Sequence, residues 1–161
     1  MKSSQSNHEG FGLVEMLIGA AALSVAMLGV SNFFQATLVA SRTTQSLIQG
    51  DYLLEEGIEA AKLLRDSSYM SNFGKMSTTT TYYFSWSGTD WATTTVSNLI
   101  DGRFERKLAI TDVRRDANSD IASSGTYDPD TKLIEVSVSW SGQTSTTTRS
   151  IQTYVTNIFN N

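Results

Sequence analysis

Gly10-Phe11-Gly12-Leu13-Val14-Glu15-Met16-Leu17-Ile18 opens a stretch that runs on to Ser41, and the rest of the chain is organised around it. Beyond Glu15 no ionisable residue occurs until Arg42, while the interval holds Leu17, Ile18, Leu23, Val25, Met27, Leu28, Val30, Phe33, Phe34, Leu38 and Val39. A helix needs about 20 largely apolar residues to cross the hydrocarbon of a bilayer, and a domain this small has no comparable surface against which such a run would bury. The stretch is therefore expected to span a membrane. Glu15 is the exception. A carboxylate inside an apolar segment costs roughly 2.5–3.5 kcal/mol on insertion scales, so Glu15 is read as functional and as needing a cationic partner.

A glycine, then an aromatic residue, a glutamate as the fifth residue after the break and an uninterrupted apolar helix would rarely coincide by chance. Together, Gly10, Phe11, Glu15 and the helix behind them resemble the processing site of type IV prepilins and of the related pseudopilins of secretion systems. The resemblance implies that a membrane-embedded prepilin peptidase cuts after Gly10 on the cytoplasmic side and methylates the new N-terminus, Phe11. It implies that Glu15 meets the terminal amine of a neighbouring subunit as helices pack into a filament. It also supplies the partners: the peptidase and methyltransferase, other copies of the chain or related pilins, and an assembly platform in the membrane. The subunit would sit in the membrane as a single-pass protein with its head outside the cytoplasm, and then in a surface pilus or pseudopilus serving adhesion, motility, DNA uptake or secretion.

Two blander readings of the same stretch stay open. One is a plain signal anchor holding a non-polymerising extracytoplasmic binding domain. The other is a secretory signal peptide cut near Ala40, although such a signal has a basic start and an apolar core of about 7–15 residues, shorter than this one. Residues 1–9 carry only Lys2 as a fixed cation, and Arg42 on the far flank cancels it, so the positive-inside rule is nearly silent. Orientation rests on the resemblance.

Apart from this segment about 120 residues remain, enough for one small domain. The chain has no cysteine, which excludes disulfides, thiol chemistry and thiolate metal sites. Its formal charge of −4 argues against general electrostatic attraction to nucleic acid. The only histidine, His8, lies in the expected leader, so the processed chain lacks the two commonest catalytic side chains. There is no phosphate-binding glycine loop. No enzymatic activity, cofactor, metal or direct nucleic-acid binding is expected.

Residues 41–66 contain no proline and are amphipathic at helical spacing, with Leu54, Ile58, Ala61 and Leu64 on one side and Glu55, Glu59, Lys62 and Asp66 on the other. A continuous helix over 11–66 would be about 80 Å long at about 1.5 Å per residue. Gly50 and Gly57 each cost up to about 1 kcal/mol against alanine in a helix, which makes them candidate points of bending or melting. The only proline is Pro129. Residues 67–74 read as an exit in which Tyr69 and Phe73 pin the loop onto the helix.

Beyond 74 the pattern turns to period two. Tyr82, Phe84 and Trp86 predict a strand, 93–96 a weaker one, and 104–113 a third with Phe104, Arg106, Leu108 and Ile110 on one side. Residues 112–130 read as an acidic loop. Asp116, Asn118 and Asp120, with Asp128 and Asp130 behind, partly match a calcium loop, but Ile121 stands where that loop needs glycine and no glutamate closes the shell. The ordinary reading, a solvated loop, is preferred. Ile134, Val136, Val138 and Trp140, followed by 145–155, predict an antiparallel hairpin. Ser-Trp-Ser-Gly occurs twice, at 85–88 and 139–142, each time near a run of threonines.

The expected architecture is α+β: a leader over 1–10, a transmembrane and assembly helix over 11–41, the outer half of that helix over 42–66, and a β-rich head over 67–161 with an antiparallel sheet of about four or five strands.

Overall fold

The computed structural model describes residues 12–142 and 145–160. Its architecture is α+β, with one long N-terminal helix packed, along its C-terminal part, against an antiparallel sheet. The helix α1 is Leu13–Ser68. The chain divides into two units, α1 up to Thr44 and the unit Gln45–Asn161, and each is taken by itself.

In the second unit, helix α1 presents Gly50, Leu54, Gly57, Ala60, Ala61 and Leu64 to the sheet, all buried. Neither glycine interrupts the helix. Each marks a close approach instead: a Cβ on Gly50 would stand 2.6 Å from the Trp140 ring, and one on Gly57 would stand 2.7 Å from Val136 Cγ1. The conformational cost of glycine is offset by the contact its missing side chain permits. Helix α1 ends where Asn72 Nδ2 donates to the Leu64 carbonyl over 2.7 Å, and a short 3₁₀ turn, Phe73–Lys75, follows. Tyr69 and Phe73 are fully buried with ring centroids 6.0 Å apart, so the exit is pinned as expected.

The strands are β1 (Tyr82–Trp86), β2 (Trp91–Thr94), β3 (Leu99–Ile100), β4 (Phe104–Arg115), β5 (Ile121–Ala122), β6 (Thr126–Ser141) and β7 (Thr146–Thr156). The main order is β2-β1-β4-β6-β7, all antiparallel, and the two-residue strands β3 and β5 pair with opposite ends of β4. The sheet thus has seven strands, two of them too short to leave a periodic signal. The turn between β3 and β4 holds Asp101 at φ 52° and Gly102 at φ 65°, two consecutive left-handed residues of the kind a tight hairpin requires.

The inward face of the sheet carries Phe84, Phe104, Arg106, Leu108, Ile110, Ile134, Val136, Val138, Trp140 and Val155, which with Leu54, Ala60, Ala61 and Leu64 form the core. The alternation expected on 104–110 and 134–140 is realised, and the side that carries Phe104, Arg106, Leu108 and Ile110 faces inward.

Two expectations need correction. The weak strand placed at 93–96 lies at Trp91–Thr94, because Trp91 packs against Phe84 and Trp86 and so anchors the pairing two residues earlier. The acidic loop over 112–130 is mostly strand: β4 runs on to Arg115 and β6 begins at Thr126. This extension lies largely beyond the apolar core and is held by polar pairs, with Arg115 Nε 2.6 Å from Asp128 Oδ2 and Arg114 Nη1 donating to the Gly125 carbonyl over 3.0 Å. It therefore lacks the apolar alternation that marks buried strands. Between Asp112 and Val113 the register with β6 shifts, and 129–131 bulge out, which is where a strand tolerates Pro129.

Candidate functional site

Within the first unit every described residue is exposed. Leu13, Val14, Met16, Leu17 and Ile18 succeed one another around the helix, and Leu23, Val25, Met27, Leu28, Val30, Phe33, Phe34, Leu38 and Val39 continue the pattern. Successive residues are about 100° apart, so the apolar surface encircles the helix rather than forming a stripe. Among the described residues, α1 is the one helix long and apolar enough to cross a membrane. Two side-chain hydroxyls of this stretch bond to the helix's own backbone. Ser24 Oγ donates to the Ala20 carbonyl over 2.8 Å and Thr37 Oγ1 to the Phe33 carbonyl over 2.9 Å, which satisfies both hydroxyls without water.

Glu15 occupies the third position of the first turn, and its Oε2 accepts a hydrogen bond from the Gly12 backbone N–H over 3.2 Å. This is the glutamate half of a capping box: the carboxylate satisfies one free donor of the helix start and lies where the helix dipole favours negative charge. The side chain thus turns back toward the N-terminal end of α1. Gly10 and Phe11, expected as the cleavage site and the methylated terminus, lie outside the described residues, as does the leader.

The carboxylates of Asp112, Asp116, Asp128 and Asp130 are engaged by protein groups. Asp116 Oδ1 accepts from the backbone N–H groups of Asn118 (2.8 Å) and Asp120 (3.0 Å), Asp128 pairs with Arg115, and Asp130 Oδ1 accepts from Asn157 Nδ2 over 3.1 Å. Among the described residues no three metal-ligating side chains are grouped to hold an ion. Burial pushes the Asp128 carboxyl up, but hydrogen bonds from Arg115 and Thr131 outweigh it and hold the group below the ordinary carboxylate range. On the next turn of the sheet, Lys132 is buried with its Nζ 2.6 Å from both Asp112 Oδ1 and Tyr127 Oη. Desolvation would lower its pKa, yet these two partners raise it.

Sequence reasoning did not anticipate the surface along β7. Strand β7 is the free edge of the sheet, and its inward residue Ile151 is 43% exposed. The amphipathic pattern of 41–66 placed Glu55 and Glu59 on the water side, but nothing in the order of residues says which strand lies beside them. Compared with protein-family models, with curated proteins and with solved structures, the chain matches none.

Proposed function

We propose that the chain is a structural, non-catalytic subunit of a type IV pilus or pseudopilus-like filament, processed by a prepilin peptidase and drawn from the membrane by an assembly platform. The observation that carries this reading is the all-round apolar surface of α1 up to Thr44, without protein cover and with a single carboxylate, Glu15, turned back at its start. Lipid can cover that surface before assembly, and neighbouring copies of the helix can cover it in a polymer, so transfer from one to the other need not expose it to water. Cutting after Gly10 would create a charged amine one residue before Gly12, close to the Glu15 carboxylate of its own or an incoming chain. Assembly of this kind is head-to-tail and helical.

The test is the mass of the N-terminal peptide of protein taken from native membranes, together with recovery of the chain in a sheared surface fraction. A peptide beginning at methylated Phe11, and its loss in Gly10→Val with retention of the full-length mass, are expected. A start at Met1 with the chain confined to membranes would replace the filament by a simple anchor.

A further inference from the structure

Along the free edge of β7 an open groove separates the strand from helix α1. One part, of about 510 Å³, is lined by Asp51, Leu54, Glu55, Arg149 and Ile151 among others. The adjoining part, of about 540 Å³, is lined by Glu55, Ile58, Glu59, Lys62, Ile151 and Thr153 among others. Glu55 and Ile151 line both, so the two parts adjoin at these residues. Three features converge there. First, β7 is an 11-residue strand at the end of the sheet order, so every second backbone N–H and C=O on its outer edge faces away from β6 without a strand partner. Second, the inward face of β7 is only partly covered: Val155 is buried, Thr153 is half-buried and Ile151 is exposed, while Ile58 opposite is half-buried. Third, the charges along the groove do not cancel. Arg149 pairs with Asp51 at 3.2 Å and Lys62 with Glu59 at 2.6 Å, whereas Glu55 between them is paired with no cation among the described residues.

We infer that this groove receives an extended segment of another protein, added to the sheet beside β7, with an apolar residue inward over Ile151 and Ile58 and a lysine or arginine reaching Glu55. Main-chain hydrogen bonds to the β7 edge supply the affinity, as in other strand additions, and the side chains that point inward supply the choice of sequence. A lysine or arginine fits the middle position because its aliphatic stem covers Ile58 while its head meets the carboxylate. A carboxylate in the same place would face the unpaired Glu55 and be disfavoured.

The probe is a fluorescent ten-residue peptide of alternating valine and threonine with a central lysine, titrated against the full chain in detergent micelles by anisotropy. Its comparison peptides carry glutamate in place of the lysine, or N-methyl groups on alternate residues that abolish strand pairing on one edge. The lysine peptide is expected to bind at least about tenfold more tightly than the glutamate peptide, and N-methylation on the pairing edge is expected to abolish binding. Glu55→Lys, at an exposed position that leaves the fold intact, is expected to reverse the preference. Equal binding of lysine and glutamate peptides, or binding that survives N-methylation whichever edge carries it, would overturn the inference. So would concentration-dependent self-association of the full chain that displaces the peptide and is lost in Glu55→Lys, since the occupant would then be a second copy.

Discussion

Arg106 Nη1 donates to Glu56 Oε2 over 2.6 Å, and the two partners differ sharply in burial, the arginine side chain being 5% exposed and the glutamate 48%. Arg106 also donates to the Leu53 carbonyl over 3.1 Å and lies 5.2 Å from the ring centroids of both Phe84 and Trp91. Its Nε has no hydrogen-bond partner among the described residues. Removing Glu56 therefore leaves a buried guanidinium short of its counter-charge, while removing Arg106 leaves only a carboxylate that water reaches. In urea melts of a 45–161 fragment, Glu56→Ala is expected to cost about 1–3 kcal/mol. In an Arg106→Met background the same change is expected to cost under about 0.5 kcal/mol. Equal costs in both backgrounds would show that the pair is not coupled.

The glycines of α1 allow a second thermodynamic test. Gly57→Ala gains about 1 kcal/mol of helix propensity but drives a methyl to within 2.7 Å of Val136 Cγ1 and 3.1 Å of Arg106 Cδ. Overpacking of this kind costs roughly 1–3 kcal/mol, so net destabilisation is expected. Val136→Ala in the Gly57→Ala background should recover part of the loss, whereas Val136→Ala alone should destabilise. A more stable Gly57→Ala fragment would mean that helix and sheet separate easily.

The two Ser-Trp-Ser-Gly sequences lead to opposite environments. Trp140 is 4% exposed, packed against Gly50 and with its ring centroid 5.5 Å from Phe104, whereas Trp86 is 53% exposed beside Trp91 at the edge of the sheet. Trp86→Phe is expected to change stability by less than about 0.5 kcal/mol. Trp140→Ala is expected to cost about 3–5 kcal/mol. Iodide should quench a tryptophan signal that Trp86→Phe removes and leave the Trp140 signal largely intact.

Acid stability should depend on Asp128. Its folded pKa lies below the ordinary value, so its contribution is fully present above an unfolded pKa of about 3.9 and is lost as pH falls from there through the folded value. Glu105, held low first by its hydrogen bond from Lys107, adds to the same limb. A 45–161 fragment is expected to lose stability below about pH 4. Asp128→Asn should flatten that loss while leaving the share of Glu105. An unchanged acid limb in Asp128→Asn would remove Asp128 from the account.

The proposed filament function is tested most directly by Glu15→Gln. A glutamine oxygen can still accept from the Gly12 N–H, so the first turn keeps its cap while the charge is lost. Insertion and leader removal are expected to match or exceed wild type, because a neutral amide is cheaper in lipid, while recovery in sheared surface filaments should fall severalfold. Wild-type recovery, in cells with no other copy of the subunit, would sink charge pairing as the assembly device.

What could be read from the residues beforehand divides along physical lines. Elements whose signal is burial were legible: α1 from its apolar run and then its amphipathic spacing, β4 from Phe104 to Ile110, β6 from Ile134 to Trp140. Elements held by polar pairing were not. The extension of β4 and β6 past Asp112 rests on Arg114, Arg115 and Asp128, and such charges read as loop when their partners are unknown. The role of Gly50 and Gly57 is within reach of the residue order, since both share the face of Leu54, Ala61 and Leu64 at seven-residue intervals, but a glycine has no side chain to declare what it touches and shows only its helix penalty. Glu15 stood out by its cost alone, but its bond to Gly12 depends on where the helix starts.

The pairing of β6 on both sides, with β4 and with β7, has a consequence for the timing of synthesis. The residues that seat the face of α1, Val136 and Trp140, and the strand that flanks them lie near the far end of the chain. While the ribosome is still making β4, the Gly50 to Leu64 face can meet Phe84 and the start of β4 but still lacks Val136 and Trp140. The sheet cannot close fully on that face until β6 has been made, and the edge strand β7 follows later still. Helix α1 is complete long before.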